Sequence, residues 1–191
     1  MNRFIFNIII SLCLSFVSSC HSQSGKYKNY KTDLNEIMES HSYEKQKIKV
    51  IINKSAYKLT LMIDSMIIKE YPVVFGGNPI DDKRMEGDNC TPEGNFKMIS
   101  KYAHEKWSKF IWINYPTEQS WIKHNTAKKN GEIPECAKIG GQIGIHGVPK
   151  GTDIMIDFKI NWTLGCISMK NKDIHEIFPY INQTTGIIIH K

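Results

Sequence analysis

The sequence predicts a mainly β fold, a sandwich or partly closed barrel, with one short helix following a cysteine near the C-terminal end. Short apolar or alternating segments recur along the chain with turn residues between them, the pattern of many short strands. Only Asn171–Tyr180 carries helix punctuation, with Asn171 as candidate N-cap, Asp173 in the first turn and Pro179 near the end. The chain has no internal repeat, and the roughly 145 residues left after a polar N-terminal stretch suit one domain with a single core.

Taken in order, the chain opens with Arg3 and an apolar run from Phe4 to Val17, followed by Val17-Ser18-Ser19-Cys20. This run is too short and wrongly flanked for a permanent membrane span, so residues 1–19 read as a secretory signal. The tetrapeptide resembles the bacterial lipobox, which implies cleavage before Cys20, acylation of that residue and a chain held to a membrane by its lipid. Residues 20–46 are polar and lysine-rich and are expected to form a tether, with a helical turn or two where Leu34, Ile37 and Met38 share a face. The domain then occupies residues 47–191. Lys47–Asn53, Tyr57–Ile63 and Met66–Phe75 read as successive strands, the last two joined by a turn at Asp64-Ser65. Gly76-Gly77-Asn78-Pro79 breaks the pattern, and a polar loop leads to the turn signal Thr91-Pro92-Glu93-Gly94. Asn95–Ser100, Trp107–Tyr115, Gln142–His146 and Gly186–His190 supply further strands, and Ile167 and Met169 alternate in strand fashion before the helix. Trp121–Gly141 reads as a loop, either a surface insertion or a lid over a site. Trp107, Trp112 and Trp121 read as core or rim residues, and Trp162 as a core residue or the wall of a substrate groove.

The chemistry gathers on His146 and Cys166, 20 positions apart and each beside glycine, in Ile145-His146-Gly147-Val148-Pro149 and Thr163-Leu164-Gly165-Cys166-Ile167-Ser168-Met169. A free cysteine has a pKa of about 8.5, is mostly protonated at neutral pH, and gains nucleophilicity when an imidazole takes its proton. Flanking glycines let a substrate backbone approach and let amide N–H groups face a developing oxyanion. An activated pair of this kind predicts a Cys166 that is alkylated below the pH at which ordinary thiols react. The plain alternative is two buried core residues. Structural zinc is disfavoured, because no paired Cys or His spacing is present.

Five cysteines are present, and an exported chain would lose Cys13 with its signal and carry lipid on Cys20. Cys90, Cys136 and Cys166 remain; one allocation pairs Cys90 with Cys136 and leaves Cys166 free, and the other leaves all three reduced. The charge balance is 25 Lys+Arg against 19 Asp+Glu, or +6, and +5 once Arg3 leaves with the signal. For an exported protein that balance favours anionic lipid or an acidic polymer over nucleic acid.

His146-Gly147 and, sixteen residues after His146, Thr163-Leu164-Gly165-Cys166-Ile167-Ser168-Met169 resemble the signature of the YkuD, or L,D-transpeptidase catalytic domain, family. The likeness extends to Gly87-Asp88 with Thr91-Pro92-Glu93-Gly94-Asn95-Phe96 and to Asn171 and Asp173-Ile174, and covers roughly residues 47 to 191. It implies a bacterial cell-wall enzyme whose cysteine attacks the third residue of a peptidoglycan stem, usually diaminopimelate, and expels D-alanine. An amine on another stem, a protein or a free D-amino acid then resolves the thioester, or water does so in members that act as hydrolases. Carried over, Cys166 is the nucleophile, His146 the general base, and Gly165, Gly147, Thr163, Ser168 and Trp162 form the oxyanion and substrate surroundings, with no metal or organic cofactor. Together with the lipobox resemblance of Val17-Ser18-Ser19-Cys20, the likeness implies a place in the cell envelope, anchored through Cys20 with the domain facing the periplasm and wall. Two positions depart from the family. Leu164 stands where many members have a second histidine, and Ser168 stands where they have an arginine able to grip a substrate carboxylate, a role for which a lysine in the Lys123–Lys138 stretch is the expected substitute. A sortase also orders His before Cys, but with longer spacing and an arginine after the cysteine. A non-catalytic wall-binding lipoprotein of the same fold is the reading from a different class.

Overall fold

The computed structural model describes residues 25–191; the expected signal segment and Cys20 lie outside them. Its strands are β1 (Ile48–Asn53), β2 (Lys58–Ile63), β3 (Met66–Val74), β4 (Gly94–His104), β5 (Ser108–Ile113), β6 (Gly144–His146), β7 (Ile167–Met169) and β8 (Gly186–His190). They close into a barrel in the order β1-β2-β3-β7-β6-β5-β4-β8, so the expected mainly β barrel is found, fully closed. The first three strands form an antiparallel meander, and β1 closes the barrel by pairing in parallel with the C-terminal β8. Alternation explains the choice of faces. In β1 the side chains of Ile48, Val50 and Ile52 are buried while Lys49 points to solvent. Leu59, Leu61, Phe96, Ile111, Ile113, Ile145, Ile167, Ile187 and Ile189 fill the same core from the other strands.

The α-helices among the described residues are α1 (Leu34–Ser40), where a helical turn or two was expected, α2 (Glu118–Lys129) and α3 (Ile154–Asp157), which were not expected, and α4 (Asn171–Ile177), the helix expected after the cysteine. The expected helix ends at Ile177 and not at Tyr180, and its cap is Lys170 without a side-chain bond. Asn171 is instead its first residue. The Asn171 side-chain oxygen accepts from the Val148 N–H at 3.1 Å, and its own N–H donates to Asp153 Oδ1 at 2.7 Å, so α4 is tied to the segment that leaves β6. The first part of the expected Trp121–Gly141 loop, up to Lys129, is helical and belongs to α2, and residues 130–141 are loop as expected. Thr117 and Ser120 cap that helix reciprocally, and Lys123 and His124 bond to the loop between β3 and β4. Trp121, read as core or rim, is exposed.

From Tyr27 onward the expected tether is part of the domain. Tyr27, Leu34, Ile37 and Met38 are buried, the last three within the main core. Polar bonds clamp the same segment: Tyr30 Oη donates to Asp173 Oδ2 at 2.9 Å, and the Leu34 N–H to Glu176 Oε1 at 2.8 Å. Glu176 also accepts from Lys69 Nζ at 2.7 Å and Tyr71 Oη at 2.9 Å, and so joins the N-terminal segment, β3 and α4 in one network. Among the described residues no helix is long and apolar enough to cross a membrane.

Candidate active site

His146 closes β6, and Cys166 immediately precedes β7. These strands run parallel, with Ile145 opposite Ile167 and His146 opposite Ser168. Parallel neighbours require a long crossover, here residues 147–166 with α3 inside it, which accounts for the spacing of the pair in sequence. Extending the register one residue back sets Cys166 opposite Gly144. His146, two residues beyond Gly144, therefore projects from the same face of the sheet as Cys166.

The imidazole is fixed on several sides. Its Nδ1 lies 2.7 Å from the Gly147 carbonyl, which can only accept, so Nδ1 carries the proton and Nε2 keeps its lone pair. Trp107 stacks on the ring at 4.7 Å between centroids, Phe110 stacks at 5.6 Å, and Trp162 meets it edge-on at 5.5 Å. Burial among these rings pushes the His146 pKa down to about 4, against a smaller opposing effect of the Gly147 bond. The Cys166 thiol is pushed up to about 11, chiefly by burial, and it donates to the Gln142 carbonyl at 3.5 Å; no hydrogen bond joins it to His146 among the described residues. Thiol and imidazole are thus both neutral near pH 7. Burial thus works against the unusually acidic thiol expected of an activated pair.

Ser168 is fully buried, and its hydroxyl donates to the same Gly147 carbonyl at 3.2 Å. It stands beside His146 on the shared face, closed off from solvent. Gly147 is likewise internal: a Cβ there would run into the Asn171 side-chain oxygen and the Trp107 carbonyl, so glycine is required for packing. Gly165 has φ +138, and a Cβ on it would meet the Cys90 carbonyl at 2.7 Å. Its N–H, expected to face an oxyanion, donates instead to Thr163 Oγ1 at 3.2 Å, while that hydroxyl donates to the Cys166 carbonyl at 2.7 Å. Thr163 thereby shapes the turn that presents the thiol. The Cys166 N–H has no partner among the described residues and is the amide left to meet an oxyanion. Trp162 packs on Val74, Val148 and Ile156 and meets His146 edge-on, in keeping with the core reading, and it does not line the cavity beside Cys166.

A cavity of about 690 Å³ opens beside Cys166, lined by Lys83, Glu86, Asn89, Gln142 and Leu164 together with glycines 87, 140 and 141. Of the residues named from the sequence for this site, only Cys166 lines it. Lys83, from the β3–β4 loop, is its cation; the Lys123 side chain is held away by Asp82 at 2.6 Å. Asp88 builds that loop. Although burial opposes its ionisation, hydrogen bonds from Lys83 and the N–H groups of Met85, Cys90 and Arg84 hold its pKa below the ordinary value. Gly87 and Leu164 belong to motifs read from the sequence, but the other wall residues, Lys83, Glu86, Asn89 and Gln142 among them, carry no signal of their own. Cys90 and Cys136 are both free thiols, one buried and one exposed, so the disulfide allocation is not found. Among the described residues no three His, Cys, Asp or Glu side chains group as a metal site requires.

The family model YkuD, the L,D-transpeptidase catalytic domain, matches residues 47–189. Similar solved structures include Bd1075 of Bdellovibrio bacteriovorus, with TM-score 0.53 and 20% identity over 75% of this chain and 48% of that one. The helical cell shape determining protein Pgp2 of Campylobacter jejuni gives TM-score 0.56 and 19% identity over 83% of this chain and 55% of that one. L,D-transpeptidase 3 of Mycobacterium tuberculosis, solved with a faropenem-derived adduct, gives TM-score 0.50 and 12% identity over 76% and 60%. The chain thus spans about half the length of the first two. No curated protein matches it.

Proposed function

Because the chain belongs to the L,D-transpeptidase catalytic domain family, we propose that it modifies peptidoglycan stem peptides through a thioester on Cys166 and transfers the acyl group to an amine. The observation that carries this is the imidazole itself: Nδ1–H is held by Gly147, and Nε2 is left free on the face that bears the thiol. His146 Nε2 takes the thiol proton as the sulfur attacks the donor carbonyl, and the Cys166 N–H faces the oxyanion. With a pKa near 4, the imidazolium is a strong acid and gives its proton to the departing D-alanine nitrogen as the C–N bond breaks. An acceptor amine then loses a proton to Nε2, attacks the thioester and restores the thiol. Another stem, a free D-amino acid or a protein amine can serve as acceptor.

Hydrolysis, with water in the acceptor's place, is the second reading. Ser168 favours it, since a buried hydroxyl offers no charge to hold an acceptor carboxylate. Place and role follow the same reading: the protein works in the bacterial envelope, anchored by lipid on Cys20, and its likeness to a protein named for helical cell shape suggests a part in shaping the wall. The test is mass spectrometry of disaccharide-tetrapeptide fragments incubated with the protein and with Cys166→Ala and His146→Gln variants. Crosslinked dimers or exchanged D-amino acids that vanish in both variants support transfer, and tripeptide alone supports hydrolysis. No product with the thiol reduced moves the reading to a wall-binding role.

A further inference from the structure

The described chain begins beside an exposed apolar face. Phe158, the C-cap of α3, is 71% exposed, and Ile154, one turn earlier, is 56% exposed; Ile160 follows them. Large apolar side chains grouped on a surface mark a contact with something less polar than water. Lys159 stands between Phe158 and Ile160 with its ammonium over the Tyr57 ring at 4.6 Å, and Lys26 lies against it. Burial, then the charges of Lys159 and Lys58, lower the Lys26 pKa, as expected where like charges crowd. The nearby acids are already engaged: Asp157 pairs with Lys170 at 2.6 Å and Glu70 with Lys58 at 2.8 Å, whereas neither Lys26 nor Lys159 forms an ion pair among the described residues.

The chain leading to this face limits what can cover it. Packing starts at Tyr27, so if Cys20 carries lipid only residues 21–26 separate the lipid from the domain, a reach of at most about 20 Å. We propose that the face bearing Ile154, Phe158 and Ile160, with Lys26 and Lys159 at its margin, rests on an anionic phospholipid surface. The apolar side chains enter the headgroup boundary and the ammonium groups meet lipid phosphates. This inference rests on the lipoprotein reading of the N-terminal segment.

Hydrogen exchange of amides 153–161 in the acylated full chain tests it, on phosphatidylcholine vesicles with and without phosphatidylglycerol. Exchange is expected to slow roughly tenfold more on the anionic vesicles, to recover at high salt, and to lose that slowing in Phe158→Ser and in Lys26→Glu/Lys159→Glu. Turnover of soluble wall fragments should be unchanged in these variants, which reports that they fold. Equal slowing on neutral vesicles, or none while the chain stays attached, overturns the proposal. Slowing that grows with protein concentration without vesicles gives the face to a second copy and also overturns it. A chain that attaches to neither vesicle removes the lipoprotein reading along with the inference.

Discussion

At the scale of single residues, the site separates positioning from reactivity. Gly147 contributes the carbonyl that fixes the His146 tautomer, Ser168 and Asn171 pack around it, and the aromatic rings hold the imidazole in place. Burial then keeps Cys166 protonated, with its pKa at about 11, and His146 neutral down to about pH 4. The thiol is therefore activated during attack and not beforehand. In the free protein Cys166 should react with iodoacetamide more slowly than a free cysteine at pH 7, with a rate that climbs until about pH 11, and His146→Gln should change that rate little while abolishing turnover. A Cys166 that is alkylated faster than free cysteine at pH 6 would contradict this account. Turnover should persist below the ordinary histidine pKa of 6.5 and fail only as the pH approaches 4, where Nε2 gains a proton. His146 and Cys166 were legible in the sequence as a candidate pair because each sits in a glycine-bearing motif. The burial of Ser168 was not, since alternation sets it on the face of Cys166 and His146 but does not tell that its hydroxyl is closed off from solvent and bonded to Gly147.

At the scale of elements, helices that hold themselves by polar contacts escaped a reading based on apolar periodicity. Only His124 and Ala127 of α2 are buried, and Trp121 and Ile122 are exposed, so no apolar stripe marks it. The barrel strands were legible for the opposite reason, because the spacing of Ile48, Val50 and Ile52 in β1 and of Leu59, Leu61 and Ile63 in β2 follows directly from burial. The seam between α4 and the N-terminal segment contains Asp173, buried and pushed up to about 6, mainly by desolvation. Below its ordinary value of 3.8 the acid is protonated whether the chain is folded or unfolded. Between there and about pH 6 only the unfolded chain gives up its proton freely, so stability falls as pH rises, and the loss is complete above 6. That loss is on the order of 2–3 kcal/mol. Asp173→Asn, which keeps an oxygen for Tyr30, should therefore melt higher than the parent at pH 8 and match it near pH 3.5. Equal melting temperatures at both values would show that the α4 N-terminus already accommodates the charge.

For the whole molecule, the reach of the catalytic domain depends on where packing begins. A tether over residues 20–46 would let the domain be cut free without harm, and the composition supports that idea because long apolar side chains are sparse there. Yet four of them, Tyr27, Leu34, Ile37 and Met38, are buried, and Glu176 binds the same segment to β3 and α4. Burial of a large apolar side chain contributes about 1.5–3 kcal/mol, so the four together rival the roughly 5–15 kcal/mol that holds a whole domain. Deleting residues 25–45 should thus lower the melting temperature steeply and remove turnover in solution as well as in cells. Leu34→Ala, which leaves the polar clamp in place, should cost about 2–4 kcal/mol and keep turnover at low temperature. Thermal unfolding followed by circular dichroism, with turnover of soluble wall fragments measured beside it, separates the cases. Full activity of the deletion in solution would restore the tether. Its loss there would make the N-terminal segment part of the folded domain and, on the lipid anchor proposed for Cys20, leave only residues 21–26 to set the distance between membrane and site.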